Sequence, residues 1–140
     1  MSKNILLIGG STGIGFEAAK RLQNDHNVIV ASRQEGKLSE LNVTHHKFNV
    51  MEDDISELDL PDELHGLLYL PGTINLKPFK MMRPNVFEDD MKINFLKLVE
   101  TTQALLKPLK AADQASIVYI STVAVQTGMP FHTSVAAAKG

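Results

Sequence analysis

The chain has 140 residues, which suits one domain. Hydrophobic residues make up 44% and charged residues 21%, so wholesale disorder is excluded. Fourteen basic against sixteen acidic residues leave −2, which supplies no footprint for nucleic acid or a membrane surface, and the lack of cysteine removes disulfides, zinc-thiolate sites and thiol catalysis.

In chain order the pattern alternates strand and helix. Ile5 to Ile8 is a continuous apolar run closed by Gly9-Gly10, which predicts a strand buried on both faces. The run is too short for a signal core or a membrane span, so the cytoplasm is the expected location. Ile14, Ala18 and Leu22 recur every four residues and predict a helix from Gly13 to about Gln23. Val28 to Ala31 reads as a second buried strand ending at Ser32-Arg33, and residues 34–41 suit a short helix. His45 to Phe48 reads as a third strand, residues 51–64 as a loop or short helix, and Leu67 to Leu70 as a fourth strand broken by Pro71-Gly72. Residues 73–86, with Pro78 and Pro84, form a long connection. A single helix is then expected from about Phe87 to Leu106, with Met91, Phe95, Leu98, Thr102, Leu105 and Leu109 on one sustained face. That face packs on the sheet or meets another subunit. Ile117 to Ile120 completes five strands, followed by Ser121-Thr122.

Strands separated by helices imply a parallel sheet covered on both faces. The expected architecture is α/β, a Rossmann-type doubly wound sheet of strand order 3-2-1-4-5, with residues 1–140 forming one domain. The run Ser134 to Lys139, rich in alanine, reads as the opening of a helix. The chain is therefore expected to be the N-terminal part of a longer fold.

The segment Gly9-Gly10-Ser11-Thr12-Gly13-Ile14-Gly15 lies between a buried strand and a helix, as a nucleotide-binding turn requires. Its glycines let backbone approach a pyrophosphate, the helix start offers free N–H groups, and Ser11 and Thr12 add hydroxyls. No Gly-Lys-Ser/Thr follows, which argues against a P-loop. The plain alternative is a glycine-rich turn without a ligand. At the end of the second strand, Ser32-Arg33 stands where an acidic residue would hold both ribose hydroxyls. A guanidinium pairs bidentately with a 2′-phosphate, so NADP(H) is favoured over NAD(H). A solvated surface arginine is the alternative there. The missing acid also argues against a methyltransferase. Adjacent His45 and His46 face opposite sides of a strand, a poor metal arrangement, and no metal is expected.

With these residues in place the sequence resembles the short-chain dehydrogenase/reductase family. Gly9-x3-Gly13-Ile14-Gly15 matches its nucleotide turn, and Ser32-Arg33 looks like its NADP-preferring members. The resemblance implies further roles. Asn49-Val50 takes the place of an Asp-Val pair at the adenine, and Gly72 is retained from an Asn-Asn-Ala-Gly motif that here reads Tyr69-Leu70-Pro71-Gly72. Asn94 would support a proton-relay water. Ser121 or Thr122 would polarise a carbonyl, and Lys139 would hold the nicotinamide ribose. One departure is serious: Val135 stands where the family has its proton-transferring tyrosine. His132 is either a substitute acid or a loop histidine bonded to backbone.

The resemblance implies an NADP(H)-dependent oxidoreductase acting on a small carbonyl or alcohol. It implies no nucleic-acid or membrane partner. It also implies a homodimer or homotetramer built on the helix at 87–106 and the one near Ser134, and a seven-stranded full fold. The competing reading, favoured by Val135, is an NADP(H)-binding protein with little or no dehydrogenase activity, a sensor or an assembly subunit.

Overall fold

A computed structural model describes residues 2–140. Strands β1 (Asn4–Ile8), β2 (Asn27–Ser32), β3 (Thr44–Lys47), β4 (Gly66–Tyr69) and β5 (Ser116–Tyr119) form one sheet in the order β3-β2-β1-β4-β5. All four pairings are parallel, with Leu7 opposite Val30 on one side and Leu68 on the other. The expected order and the doubly wound class are what the chain adopts.

Strand β1 is central, and its side chains divide between the two covering layers as a period of two requires. Ile5 and Leu7 join Val28, Val30, Ala19 and Leu38 beneath helix α1 (Gly13–Leu22). Leu6 and Ile8 join Ile29, Leu67, Tyr69, Leu105 and Leu109 on the opposite face. Each fully buried aliphatic side chain here contributes about 1.5–3 kcal/mol relative to exposure. Ile14 departs from the expected helix face: it is 70% exposed, while Ala18 and Leu22 pack against the core.

The expected single helix over 87–106 is corrected. Helix α2 (Pro84–Met91) starts with proline in its first turn, passes through a π-helical turn at Lys92–Leu96, and continues as α3 (Lys97–Ala104). The cause is local. Asn94 donates its side-chain amide to the Asp90 carbonyl at 2.9 Å, the acceptor that an α-helix reserves for the backbone N–H of Asn94 itself. The ladder widens, and the Lys97 N–H reaches back five residues to the Lys92 carbonyl. The extra residue rotates the following face, so Phe95 and Leu96 are exposed while Leu105 and Leu109 remain buried. A second break at Leu105 precedes α4 (Leu106–Ala111). Pro108 accounts for it, because its ring clashes with the carbonyl four residues earlier, that of Ala104.

The remaining connections contain only 3₁₀ turns, at Gly36–Glu40, Ile55–Glu57, Phe79–Met81 and Val123–Val125. The chain closes with helix α5 (Thr133–Lys139), which packs against α2. Strand β5 borders the sheet, and Ile117, Val118 and Tyr119 are each more than 40% exposed. Among the described residues no helix is long and apolar enough to cross a membrane.

Candidate functional site

The carboxyl ends of β1, β2, β3 and β4 open onto one cavity of about 780 Å³, a volume suited to a cofactor-sized ligand. The turn after β1 lines it through Gly9, Gly10, Ser11, Thr12, Ile14 and Gly15. Ser32 and Arg33 line it from the end of β2, Asn49 and Val50 from beyond β3, and Gly72 from beyond β4. In open α/β sheets this is where ligands bind, at the point where the strand order reverses.

The β1–α1 turn is built for close approach. Gly9, Gly10 and Gly13 have positive φ, and a Cβ on Gly15 would stand 2.5 Å from the Gly10 Cα. No side chain caps α1: Thr12 precedes it in extended conformation and makes no capping hydrogen bond. Its first-turn N–H groups therefore keep the positive end of the helix open to an anion. The large exposed side chain of Ile14 stands at the cavity wall. Gly13, although within the turn, does not line the cavity.

At the end of β2 the hydroxyl of Ser32 donates to the Gln34 carbonyl at 2.7 Å. Having one proton, it must accept from His45 Nε2 at 2.9 Å. Arg33 is exposed on the cavity wall and makes no ion pair among the described residues. The donor set at this corner is thus a free guanidinium, which fits a phosphate. Asn49 Oδ1 accepts from the Met51 N–H at 3.0 Å, which leaves its amide nitrogen to point elsewhere.

The second group of predicted residues gathers at Gly72. A Cβ there would meet Asn94 Oδ1 at 2.8 Å and Lys139 Nζ at 3.3 Å, so backbone alone fits between them. Lys139 comes from the last turn of α5, and its ammonium donates to the Ile120 carbonyl at 3.0 Å. Partial burial lowers its pKa below the ordinary lysine value. Ser121 donates to the Lys139 carbonyl at 3.4 Å, and Thr122 accepts from the Ala124 N–H at 3.3 Å. The proton of Thr122 stays uncommitted, whereas that of Ser121 is in use. Asn94, Ser121, Thr122 and Lys139 do not themselves line the cavity; Gly72, Thr73, Ile93 and Ile120 do.

Val135 is buried at 2% exposure and carries no proton to transfer. His132 Nδ1 donates to the Pro130 carbonyl at 2.6 Å within its own loop. Tyr119 points onto the covering helix, its hydroxyl 2.7 Å from Thr102 Oγ1. Thr73 and Asp90 are polar participants that the sequence did not single out. Asp90 is wholly buried and hydrogen-bonded to Thr73, Asn75 and Ser134. Its one sequence signal is its place four residues before Asn94, on the same helix face.

The family profile described as short chain dehydrogenase matches residues 3–140. The chain is 32% identical, over 98% of its length, to hydroxysteroid 11-beta-dehydrogenase 1-like protein A of Xenopus laevis, and covers 53% of that protein. It spans about half the length of the curated relatives it matches. Among solved structures, a short chain dehydrogenase from Shigella flexneri aligns with a TM-score of 0.85 at 27% identity, covering 98% of this chain and 62% of the other. An Escherichia coli protein assigned as a short chain dehydrogenase, complexed with NADPH, aligns with a TM-score of 0.86 at 26% identity, over 98% of this chain and 65% of the other.

Proposed function

The chain belongs to the short-chain dehydrogenase family, and from that premise we propose that its 140 residues form the NADP(H)-binding unit of an oxidoreductase acting on a carbonyl or alcohol. The observation that carries the proposal is the shared cavity. The turn at Gly9–Gly15 and the unpaired Arg33 line one wall, and Gly72, flanked by Asn94 and Lys139, lines another. The relative crystallised with NADPH supports the choice of coenzyme.

The bound coenzyme supplies or accepts hydride at its nicotinamide. Gly9 to Gly15 present backbone to the diphosphate, and Arg33 neutralises the 2′-phosphate. Asn49 and Val50, which line the cavity, would hold the adenine. Lys139 spends one ammonium donor on the Ile120 carbonyl and keeps two for the nicotinamide ribose. Thr122, with its proton uncommitted, donates to the substrate oxygen better than Ser121. Asn94 directs its Oδ1 toward Gly72 and Lys139 and would support a water there that supplies the proton in place of a tyrosine. The protein works as a homodimer or homotetramer; Phe95 and Leu96, turned outward by the π turn, supply apolar surface for that assembly.

Val135 favours a second reading, a coenzyme-binding protein that does not turn over. One experiment separates the two. NADPH fluorescence should rise on mixing with the protein, and a panel of aldehydes, ketones and quinones should then consume NADPH. Binding without consumption, together with activity created by Val135→Tyr, supports the second reading. Absence of NADPH binding overturns both.

A further inference from the structure

Asp90 has no exposed surface, and among the described residues no cation pairs with it. A buried carboxyl group is costly unless its oxygens are hydrogen-bonded. Here three donors converge on it. Thr73 Oγ1 at 2.5 Å and Asn75 Nδ2 at 2.7 Å donate to Oδ1, and Ser134 Oγ at 2.6 Å donates to Oδ2. They come from the loop after β4 and from the start of α5, while Asp90 itself lies on α2.

The directions of these bonds have a consequence for Asn94. Thr73 has one hydroxyl proton, and Asp90 takes it. The Thr73 oxygen can then only accept, and it does so from Asn94 Nδ2 at 3.2 Å. The same nitrogen donates to the Asp90 carbonyl at 2.9 Å, and Asn94 Oδ1 accepts the Thr73 N–H at 3.3 Å. The amide of Asn94 is thereby held one way round, nitrogen inward and oxygen toward Gly72 and Lys139. Ser134, tied to the other carboxyl oxygen, opens the helix whose last turn carries Lys139.

We propose that Asp90 is a positioning residue: by taking the Thr73 hydroxyl as a donor and holding the loop that carries it, its carboxyl group reinforces the polarity of the Asn94 amide, and through Ser134 it anchors the helix that carries Lys139. The inference rests on the reading that this end of the cavity receives the nicotinamide half of the coenzyme. A role in stability alone would be met by an apolar residue of similar volume. A role in polarity is not, because asparagine at this position offers donors where only acceptors now stand.

Asp90→Asn, Asp90→Leu and Thr73→Val are the variants. Thr73→Val keeps the Asp90–Ser134 bond and alters an exposed residue, so it serves if the Asp90 variants do not fold. Two ligands are measured by calorimetry: NADPH, and adenosine 2′,5′-bisphosphate, which lacks the nicotinamide half. The expected result is unchanged affinity for the bisphosphate and about tenfold weaker NADPH, the scale of one lost hydrogen bond. The Asn94 side-chain NH₂ protons, followed by NMR, should exchange faster in each variant while the β1 amides keep their protection. Equal losses for both ligands, no loss for either, or unchanged Asn94 exchange overturns the inference. A wild-type protein that binds neither ligand overturns the coenzyme reading as well.

Discussion

Arg33 and Tyr69 show how differently single side chains can be read. Arg33 is informative from sequence because its position at the end of β2 and its chemistry are both local. Truncation to alanine should weaken NADPH by about 1.5–3 kcal/mol and leave NADH nearly unchanged, measured by fluorescence titration; equal losses would count against the 2′-phosphate assignment. Tyr69 reads in the sequence as a mismatch to a family motif. Its hydroxyl donates to the Ile93 carbonyl at 2.6 Å, a partner 24 residues away that no local pattern shows. Burial, helped by the negative charge of Glu100, raises its pKa well above the ordinary phenol value of 10.0. The folded protein therefore holds this proton after the unfolded chain has lost it. The stabilisation is complete below pH 10.0 and declines as pH rises from there toward the folded value. In Tyr119→Phe, whose one remaining phenol is Tyr69, ultraviolet titration should show no tyrosinate near pH 10.0 until the protein unfolds. Ionisation there in the folded state would contradict the burial argument.

Elements were legible where their cause is periodic. Four strands follow from apolar runs, whereas β3 is polar (Thr44-His45-His46-Lys47) and only Phe48 beyond it is apolar; each strand lies within a residue or so of its expected position. The interruption after α2 was not legible, because it depends on one asparagine side chain taking a backbone acceptor within its own helix. Spacing alone continued the face through Phe95, which the structure leaves 44% exposed. The glycine turn was legible as a pattern, but the exposure of Ile14 was not, since helical period placed it with Ala18 and Leu22. Gly15→Ala tests the turn. A methyl group 2.5 Å from the Gly10 Cα forces backbone to shift and should cost about 1–3 kcal/mol or more in denaturant unfolding, with loss of coenzyme binding. Gly128→Ala meets nothing within 4 Å and should change neither. A tolerated alanine at position 15 would mean that the turn is looser than described.

For the whole molecule, alternation of strand and helix gives a doubly wound parallel sheet, and the glycine-rich turn after β1, read as Rossmann-type, selects the order β3-β2-β1-β4-β5 from the few that remain. The site is only partly legible at this scale. Asn94, Gly72 and Lys139 lie far apart in sequence and were placed together by resemblance, whereas Asp90, Thr73 and Ser134 meet through packing of α5 on α2. Strand β5 leaves an apolar edge, an arrangement prone to adding further strands. Val118→Lys should lower concentration-dependent self-association in sedimentation velocity without altering the circular dichroism of the fold. A chain that stays monomeric at high concentration before the substitution would argue against a sticky edge.

The cavity draws its walls from stretches as distant as Ile8 and Ile120. Any occupant is therefore a rivet through the length of the polypeptide, and unfolding any one stretch must release it. The melting temperature should climb with the logarithm of coenzyme concentration, by the equivalent of about 2.7 kcal/mol at a hundredfold excess over the dissociation constant. Heat resistance then becomes a substrate-free gauge of occupancy, usable before any reaction has been identified.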